Sequence, residues 1–279
     1  VIRLLIEDDR AELDAFLARH AAFTMILRSN LRASGMASGD GPFHGVYAGY
    51  FHNGALSDVA AQYWNGNIIL FAPNAAAELA MFLFEQTHKS VAGFLGPWAD
   101  CTAALDALNL RHRARDPHEE DLFSLDLAQL CRPRIDGVTA RRAETSDLET
   151  LVSWRTAYEI ETLAAPANEQ TAARAREDIT RGLAQRNFWV AVENQKPVAM
   201  AALNARLPDM IQIGGVFTPT DLRGRGYARI AVAGVLADSH TEGASTAILF
   251  TEVRNVAAKK VYAALGFARV GDYGLILLS

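Results

Sequence analysis

Residues 210–236 place the strongest constraint on the fold. An apolar run from Met210 to Phe217 enters the loop Thr218-Pro219-Thr220-Asp221-Leu222-Arg223-Gly224-Arg225-Gly226. Tyr227 and Ala228 then open a segment with apolar Ile230, Val232, Val235 and Leu236. This spells strand, glycine loop, helix. A helix start leaves about four backbone N–H groups unpaired, and its dipole adds roughly half a positive charge there. Gly224 and Gly226 put no side chain over those amides, Ala228 is small, and Arg223, Arg225 and Arg229 add charge. Such a loop is a polyphosphate cradle. The bland alternative is a glycine turn with solvated arginines. A P-loop would need Gly-Lys followed by Ser or Thr, and a dinucleotide fingerprint would need glycine where Arg229 stands.

Around this segment the chain reads as two similar halves. In the first, periodicity predicts a helix over 10–29, a small-residue loop over 32–45, and strands at 45–52, 56–64 and 67–72 joined by Asn-Gly turns. A helix over 75–88 follows, with Asn74 as N-cap, then a strand at 91–95, a helix at 99–108 and a strand at 121–127. Phe82, Phe84, Phe94 and Trp98 read as core. The stretch 131–138, with its Pro, Gly and charge, reads as a linker between domains 1–130 and 139–279. The second half predicts a strand at 139–142 and a helix at 148–158 capped by Thr145 or Ser146. A helix at 171–186 and strands at 188–192, 198–204 and 210–217 come next. After the loop helix stand a strand at 246–251, a helix at 257–265 and a strand at 267–278. The shared order points to a duplication; many α/β domains have such an order without one. The fold class is α/β (α+β), each domain a mixed, mostly antiparallel sheet flanked by helices.

Composition narrows the function. Of 279 residues, 27 are Lys or Arg and 32 Asp or Glu, for a net charge of −5. No basic stripe stands out, which disfavours nucleic acid as a partner. No apolar stretch is long enough for a membrane span. Two cysteines, Cys101 and Cys131, form no disulfide framework, and no zinc spacing or His pair at i, i+4 beside a Glu is present, so no metal is expected. The N-terminal stretch lacks a signal-peptide pattern, and a cytoplasmic location is expected.

Two motifs together carry a family resemblance. Arg223, Gly226 and Ala228 match R/Q-x-x-G-x-G/A. Downstream, Asn255, Ala258, Tyr262, Gly266 and Phe267 match N-x-x-A-x-x-x-Y-x-x-x-G-F, at the expected separation. With residues 138–147 similar to an opening strand and helix start, 138–279 resembles the GNAT (Gcn5-related N-acetyltransferase) superfamily. The resemblance implies acetyl-CoA as acyl donor. Strands 211–217 and 247–252 would splay around the pantetheine arm. Backbone groups of Val216, Phe217 and Thr218 would orient the thioester, and one N–H could support the oxyanion. Arg223, Gly224, Arg225, Gly226, Tyr227, Ala228 and Arg229 would hold the pyrophosphate. Asn255 would contact the pantetheine or the chain around it.

Tyr262 stands where the family's general acid usually stands, and a phenol with a reference pKa of ~10 can protonate a departing thiolate. It could instead only pack on the coenzyme. Glu252, ending its strand, is a base candidate, or a solvated carboxylate paired with Arg254. Glu159 and Glu161, expected just after the helix at 148–158, would suit a cationic acceptor, although a solvated helix end is the simpler reading. In the first half the matching loop, Pro73-Asn74-Ala75-Ala76-Ala77-Glu78, has no Gly and no Arg. Glu78 stands where phosphate would approach, and Pro73 removes a donor. That half is therefore expected to be a degenerate GNAT-like copy, in tandem with an active one, that binds no coenzyme.

The expected function is acetyl-CoA-dependent acyl transfer to a primary amine of a small-molecule or peptide acceptor, by direct attack in a ternary complex. The alternatives are a non-catalytic acyl-CoA-binding regulatory module and a protein whose acidic first half docks a basic partner. The oligomeric state, monomer or homodimer, is left open by the sequence.

Overall fold

The computed structural model describes residues 1–115, 117–163 and 165–279. The chain divides into two units that interleave in sequence. Unit 1 is Val1–Phe123, Phe250–Arg254 and Arg269–Ser279; unit 2 is Ser124–Leu249 and Asn255–Ala268. The stretch 131–138, expected as a linker, lies inside unit 2, and the C-terminal strand belongs almost wholly to unit 1.

In unit 1, β1 (Ile2–Leu4) precedes α1 (Arg10–Arg19) and α2 (Ala21–Ser34). These two helices replace the single helix expected over 10–29. His20 leaves helical geometry, with ψ of 32°. The Thr24 hydroxyl donates to the carbonyls of Leu17 at 2.6 Å and His20 at 3.1 Å, and so satisfies the groups exposed at the break. A meander follows: β2 (Gly45–His52), β3 (Ala55–Tyr63) and β4 (Asn67–Phe71), all antiparallel. Asn53 and Gly54, both at positive φ, make the first turn. Helix α3 (Ala76–Thr87) carries the chain to β5 (Gly93–Gly96), parallel to β4, and α4 (Trp98–Ala107) follows. On its other edge β5 pairs antiparallel with the C-terminal strand Ala268–Leu278, from Gly96 opposite Gly274 to Gly93 opposite Leu277. The short β6 (Ala114–Arg115) joins that strand, and β7 (Glu119–Asp126) runs out of unit 1 into unit 2.

Both faces of this sheet are covered, so its central strands are apolar on both sides. Leu13, Phe16, Leu17, Leu27 and Leu31 of α1 and α2 pack on Tyr47, Val59, Tyr63 and Ile69. Leu79, Leu83, Cys101 and Leu105 of α3 and α4 pack on Ala48, Ile68, Leu70, Phe94 and Ile276. Phe94 is in the core as expected, whereas Phe84 is 46% exposed, because it sits on the outer side of α3.

Unit 2 repeats this order. It runs β8 (Val138–Arg142), α5 (Leu148–Leu163), α6 (Glu169–Ala184), β9 (Phe188–Glu193), β10 (Lys196–Arg206), β11 (Met210–Phe217), α7 (Tyr227–Thr241), β12 (Thr246–Glu252) and α8 (Val256–Leu265). The strand Ala268–Leu278 is β13. Strands β8 to β11 are sequentially antiparallel, and β11 and β12 are parallel across α7. Leu151 and Ile179 of α5 and α6 pack on Val190, Met200 and Phe217. Asn168 caps α6, its side chain accepting from Thr171 N at 2.9 Å.

The same ionic clasp opens each unit. Asp9 accepts from Arg3 at 2.6 Å and from the Ile6 amide at 2.9 Å; Asp147 accepts from Arg141 at 2.7 Å and from the Glu144 amide at 2.8 Å. Asp147, not the side chain of Thr145 or Ser146, thus fixes the start of α5. The Arg3 bonds hold the Asp9 carboxyl down at about 2. Burial pushes the Asp147 carboxyl up, but the bonds from Arg141 and Glu144 outweigh it and leave it below the usual value.

A carboxylate also fills the start of α3. Asp58, fully buried on β3, accepts from Asn74 N at 2.7 Å, Ala75 N at 3.1 Å and Asn74 Nδ2 at 3.2 Å. Asn74 is therefore held by Asp58 and does not cap α3, whose N-cap position is Ala75.

Two expectations follow. Asp58→Ala strands buried amides at the start of α3 and should lower unfolding stability by about 3 kcal/mol in denaturant titration; a change within about 0.5 kcal/mol would show that water replaces the carboxylate. Both clasp aspartates titrate lower in the folded chain than unfolded, so their contribution is present above pH ~4 and is lost as pH falls through their lowered folded values, about 2 for Asp9. The Asp9→Asn/Asp147→Asn double variant should be less stable at pH 7. Its stability should also fall less than the parent's between pH 5 and 3; an equal acid slope would refute the clasp.

Candidate functional site

The site begins with one extra residue in β11. On β10, Met200 opposes Phe217 and Ala202 opposes Gly214, so two steps on β10 face three on β11. This is a β-bulge, and Gly215 within it has φ of 56°, a conformation glycine adopts without strain. Gly214 has no room for a side chain, since a Cβ there would lie 2.1 Å from the Asn204 amide group. A bulge bends its strand and increases the local twist. Pairing of β11 with β12 accordingly ends after Met210–Thr246, Ile211–Ala247 and Gln212–Ile248. Gly215 and Val216 fall outside the β10 register as well. This leaves backbone donors and acceptors along a splayed edge, which an amide-containing arm can pair with.

Beyond Phe217 the loop turns through Thr220–Leu222 and reaches Gly224 and Gly226, with φ of 78° and 82°. Gly226 is the N-cap of α7, and no side chain caps the helix. The first amides of a 15-residue helix thus face outward with glycine, not a carboxylate, over them. Arg229 lies against this spot: a Cβ on Gly226 would meet its Nη2 at 3.6 Å and Ile135 Cδ1 at 3.1 Å. Arg229 Nε and Thr218 Oγ1 are both buried without a hydrogen-bond partner. Two unsatisfied polar atoms beside an uncapped helix start fit an anionic ligand with oxygen acceptors.

The sequence-predicted residues divide by what they do here. Val216, Phe217 and Thr218 line the bulge and loop start, and Gly224, Gly226, Tyr227, Ala228 and Arg229 form the helix mouth. Arg225 donates to the Asp221 carbonyl at 3.2 Å, which braces the loop. Arg223 straps it: its Nε donates to the Thr218 carbonyl at 2.9 Å, its Nη2 to Glu161 at 2.5 Å, and it stands 5.6 Å from the Phe217 ring centroid. Asn255 caps α8, accepting from Ala258 N at 3.1 Å. Tyr262 is buried on α8 with its ring 5.9 Å from that of Phe267. Gly266, at φ of 101°, ends that helix as the sequence implies.

Glu159 and Glu161 lie inside α5, not after it, because the helix continues to Leu163. Glu159 is buried and bonded to Arg155 at 3.0 Å, and Glu161 is taken by Arg223. Both carboxylates are therefore paired within unit 2.

Glu252 falls in unit 1, with Arg254 Nε on one oxygen at 3.1 Å. Its other oxygen is 4.0 Å from His118 Nε2, and the same nitrogen is 3.8 Å from Glu120. Burial raises the Glu120 carboxyl, His118 partly offsets this, and the charge of Glu252 adds to it. His118 and Glu120 were not singled out from sequence, although their spacing of two at the start of a strand puts them on one face. What hid them was that Glu252 is 132 positions away and reaches them only through tertiary pairing.

The corresponding place in unit 1 is closed. A Cβ on Gly96 would lie 2.2 Å from the Leu70 carbonyl oxygen, so β4 and β5 stay in contact to their ends. The α3 amides are held by Asp58, while Glu78, the residue expected to repel phosphate, is exposed. Among the described residues no group of three His, Cys, Asp or Glu is placed to hold a metal ion, and no helix is long and apolar enough to cross a membrane.

Comparison with known proteins bears on the family and the fold. The model of the acetyltransferase (GNAT) family matches residues 154–267. No curated protein sequence matches the chain. Similar solved structures include a GCN5-related N-acetyltransferase from Sphaerobacter thermophilus, at 16% identity, TM-score 0.59, covering 99% of this chain and 94% of that one. Another is a GCN5-related N-acetyltransferase from Kribbella flavida, at 18% identity, TM-score 0.59, covering 94% and 95%. A Drosophila protein shares the fold at 13% identity with a TM-score of 0.68, covering 100% and 98%. Residues 154–267 of this chain are thus similar to the acetyltransferase (GNAT) family, and the mixed α/β fold around them is one that such structures share over nearly the whole length.

Proposed function

We propose that the chain is an N-acyltransferase that takes acetyl-CoA as donor and acetylates a primary amine on a small-molecule or peptide acceptor. The observation that carries this is the splay of β11 from β12 beside the uncapped, glycine-fronted start of α7. An extended amide arm pairs with the exposed edge at Val216, and its pyrophosphate sits on the α7 amides with Arg229 alongside. Arg223, already bonded to Thr218 and Glu161, holds the loop in shape for this. Both residue and backbone chemistry fit the donor, which supplies the activated acetyl group.

In the transfer step the neutral amine attacks the thioester carbonyl carbon and forms the amide bond. The C–S bond breaks and the thiolate takes a proton. We assign that proton to the Tyr262 hydroxyl, a phenol buried on α8. The amine's proton is assigned to Glu252, with His118 and Glu120 as its neighbours in unit 1. Direct attack in a ternary complex is proposed, since Cys101 is buried with its thiol pushed well up by burial, which disfavours a thioester relay through it. The non-catalytic acyl-CoA-binding module is the alternative outcome of the tests below. Unit 1 is read as a degenerate copy without coenzyme, and a cytoplasmic monomer or homodimer is the accompanying expectation.

Calorimetric titration with acetyl-CoA and with CoA should show one site per chain. Gly226→Glu places a carboxylate on the helix start and should weaken binding at least about a hundredfold. Gly226→Ala, which imposes the same left-handed backbone strain without the charge, should retain most of it. Equal loss in both variants would mean strain, and unchanged affinity in Gly226→Glu would overturn the site. With an acceptor found by screening amines, Tyr262→Phe and Glu252→Gln should each lower kcat about tenfold or more with coenzyme affinity unchanged. Unaltered turnover in both, with coenzyme still bound, would favour the binding module.

A further inference from the structure

A second feature of unit 2 adjoins the cradle. The stretch 131–138 lies along α7 and walls an open groove of about 460 Å³. Its floor is made of small residues. Ile230, Gly234 and Ala237 share one face of α7, and a Cβ on Gly234 would lie 2.5 Å from Ala140 Cβ on β8. The volume lies in the range of small-ligand sites, ~300–1,000 Å³. Its rim carries Arg132, Arg134 and one carboxylate, Asp136.

Several arginines elsewhere in unit 2 are paired with carboxylates: Arg141 with Asp147, Arg142 with Asp238, Arg155 with Glu159, Arg176 with Glu149 and Arg223 with Glu161. Arg132 and Arg134 are exposed and make no ion pair among the described residues. Ile135, the residue after Arg134, is the side chain that meets the Gly226 position at 3.1 Å. Groove and cradle therefore share an edge at Gly226, where the partnerless Arg229 Nε also stands. Among the described residues that line it, the groove sets two arginines against one carboxylate, Asp136.

We infer that this groove takes the phosphorylated nucleoside end of the donor, with Arg132 and Arg134 binding its 3′-phosphate. A ligand whose pyrophosphate rests on the α7 amides can extend its adenosine along the helix face at Ile230, Gly234 and Ala237. There the guanidinium groups meet a dianionic phosphate, the acceptor that Arg forks match best. The inference rests on the donor reading above, and its test separates the two.

The test is calorimetric titration of the full chain with CoA and with 3′-dephospho-CoA at one fixed salt concentration. CoA should bind at least about tenfold more tightly. Arg132→Gln/Arg134→Gln should lower CoA affinity to that of dephospho-CoA, with dephospho-CoA affinity unchanged. Both side chains are at the surface, and an unaltered melting temperature checks the fold. Equal binding of the two ligands by the parent chain would overturn the groove assignment and leave the cradle standing. Discrimination that survives in the double variant would overturn the roles of Arg132 and Arg134. No binding of either ligand would overturn the cradle and this inference together.

Discussion

One extra residue in β11 governs the rest of unit 2. If β11 ran regularly, it would pair with β12 along its whole length and no backbone would be left for a ligand. The bulge between Gly214 and Phe217 bends the strand out of both ladders, and parallel pairing stops at Gln212. It works only because two glycines stand there: Gly214 where a Cβ would strike Asn204, and Gly215 at positive φ. From the same bend the chain is delivered into the loop that ends at Gly226, so the open edge and the uncapped helix start are products of one irregularity.

Unit 1 shows what the same architecture becomes without that irregularity. Its β4–α3–β5 crossover matches β11–α7–β12 in order and direction. There β4 stays against β5 as far as Gly96, and the α3 amides are satisfied from within by Asp58. A helix start demands an acceptor in either case. In unit 1 the protein supplies a carboxylate; in unit 2 it leaves glycine, with Arg229 Nε and the Thr218 hydroxyl unsatisfied. The paired clasps, Arg3 with Asp9 and Arg141 with Asp147, show the two units starting alike, which supports common descent better than the weak residue identity does.

Much of the fold was legible because it is local. The meander of unit 1 follows from Asn-Gly turns, and β11, the glycine loop and α7 follow from glycine, charge and apolar spacing within one short window. Misreadings came where side-chain contacts that spacing does not show intervened. The helix expected over 10–29 breaks at His20, where Thr24 bonds the freed carbonyls. Asn74 is a good N-cap by type, yet Asp58, sixteen residues earlier, takes its amide. The helix expected to end at residue 158 continues to Leu163, and Glu159 and Glu161, expected just after it, lie inside it and pair with Arg155 and Arg223.

The sequence by itself determined the strand–loop–helix unit, the glycines that front the helix, and the second motif ending at Phe267, since each depends on backbone freedom and spacing inside a few turns of chain. Tertiary structure decided how those parts are used. It set where β11 and β12 separate, which arginines are consumed by ion pairs and which are not, and that His118 and Glu120 lie near Glu252. It also drew the C-terminal strand into the sheet of unit 1. The reason is physical. A side chain's charge and burial are settled by partners that reach it through strand pairing and packing, and those partners stand tens to more than a hundred positions away.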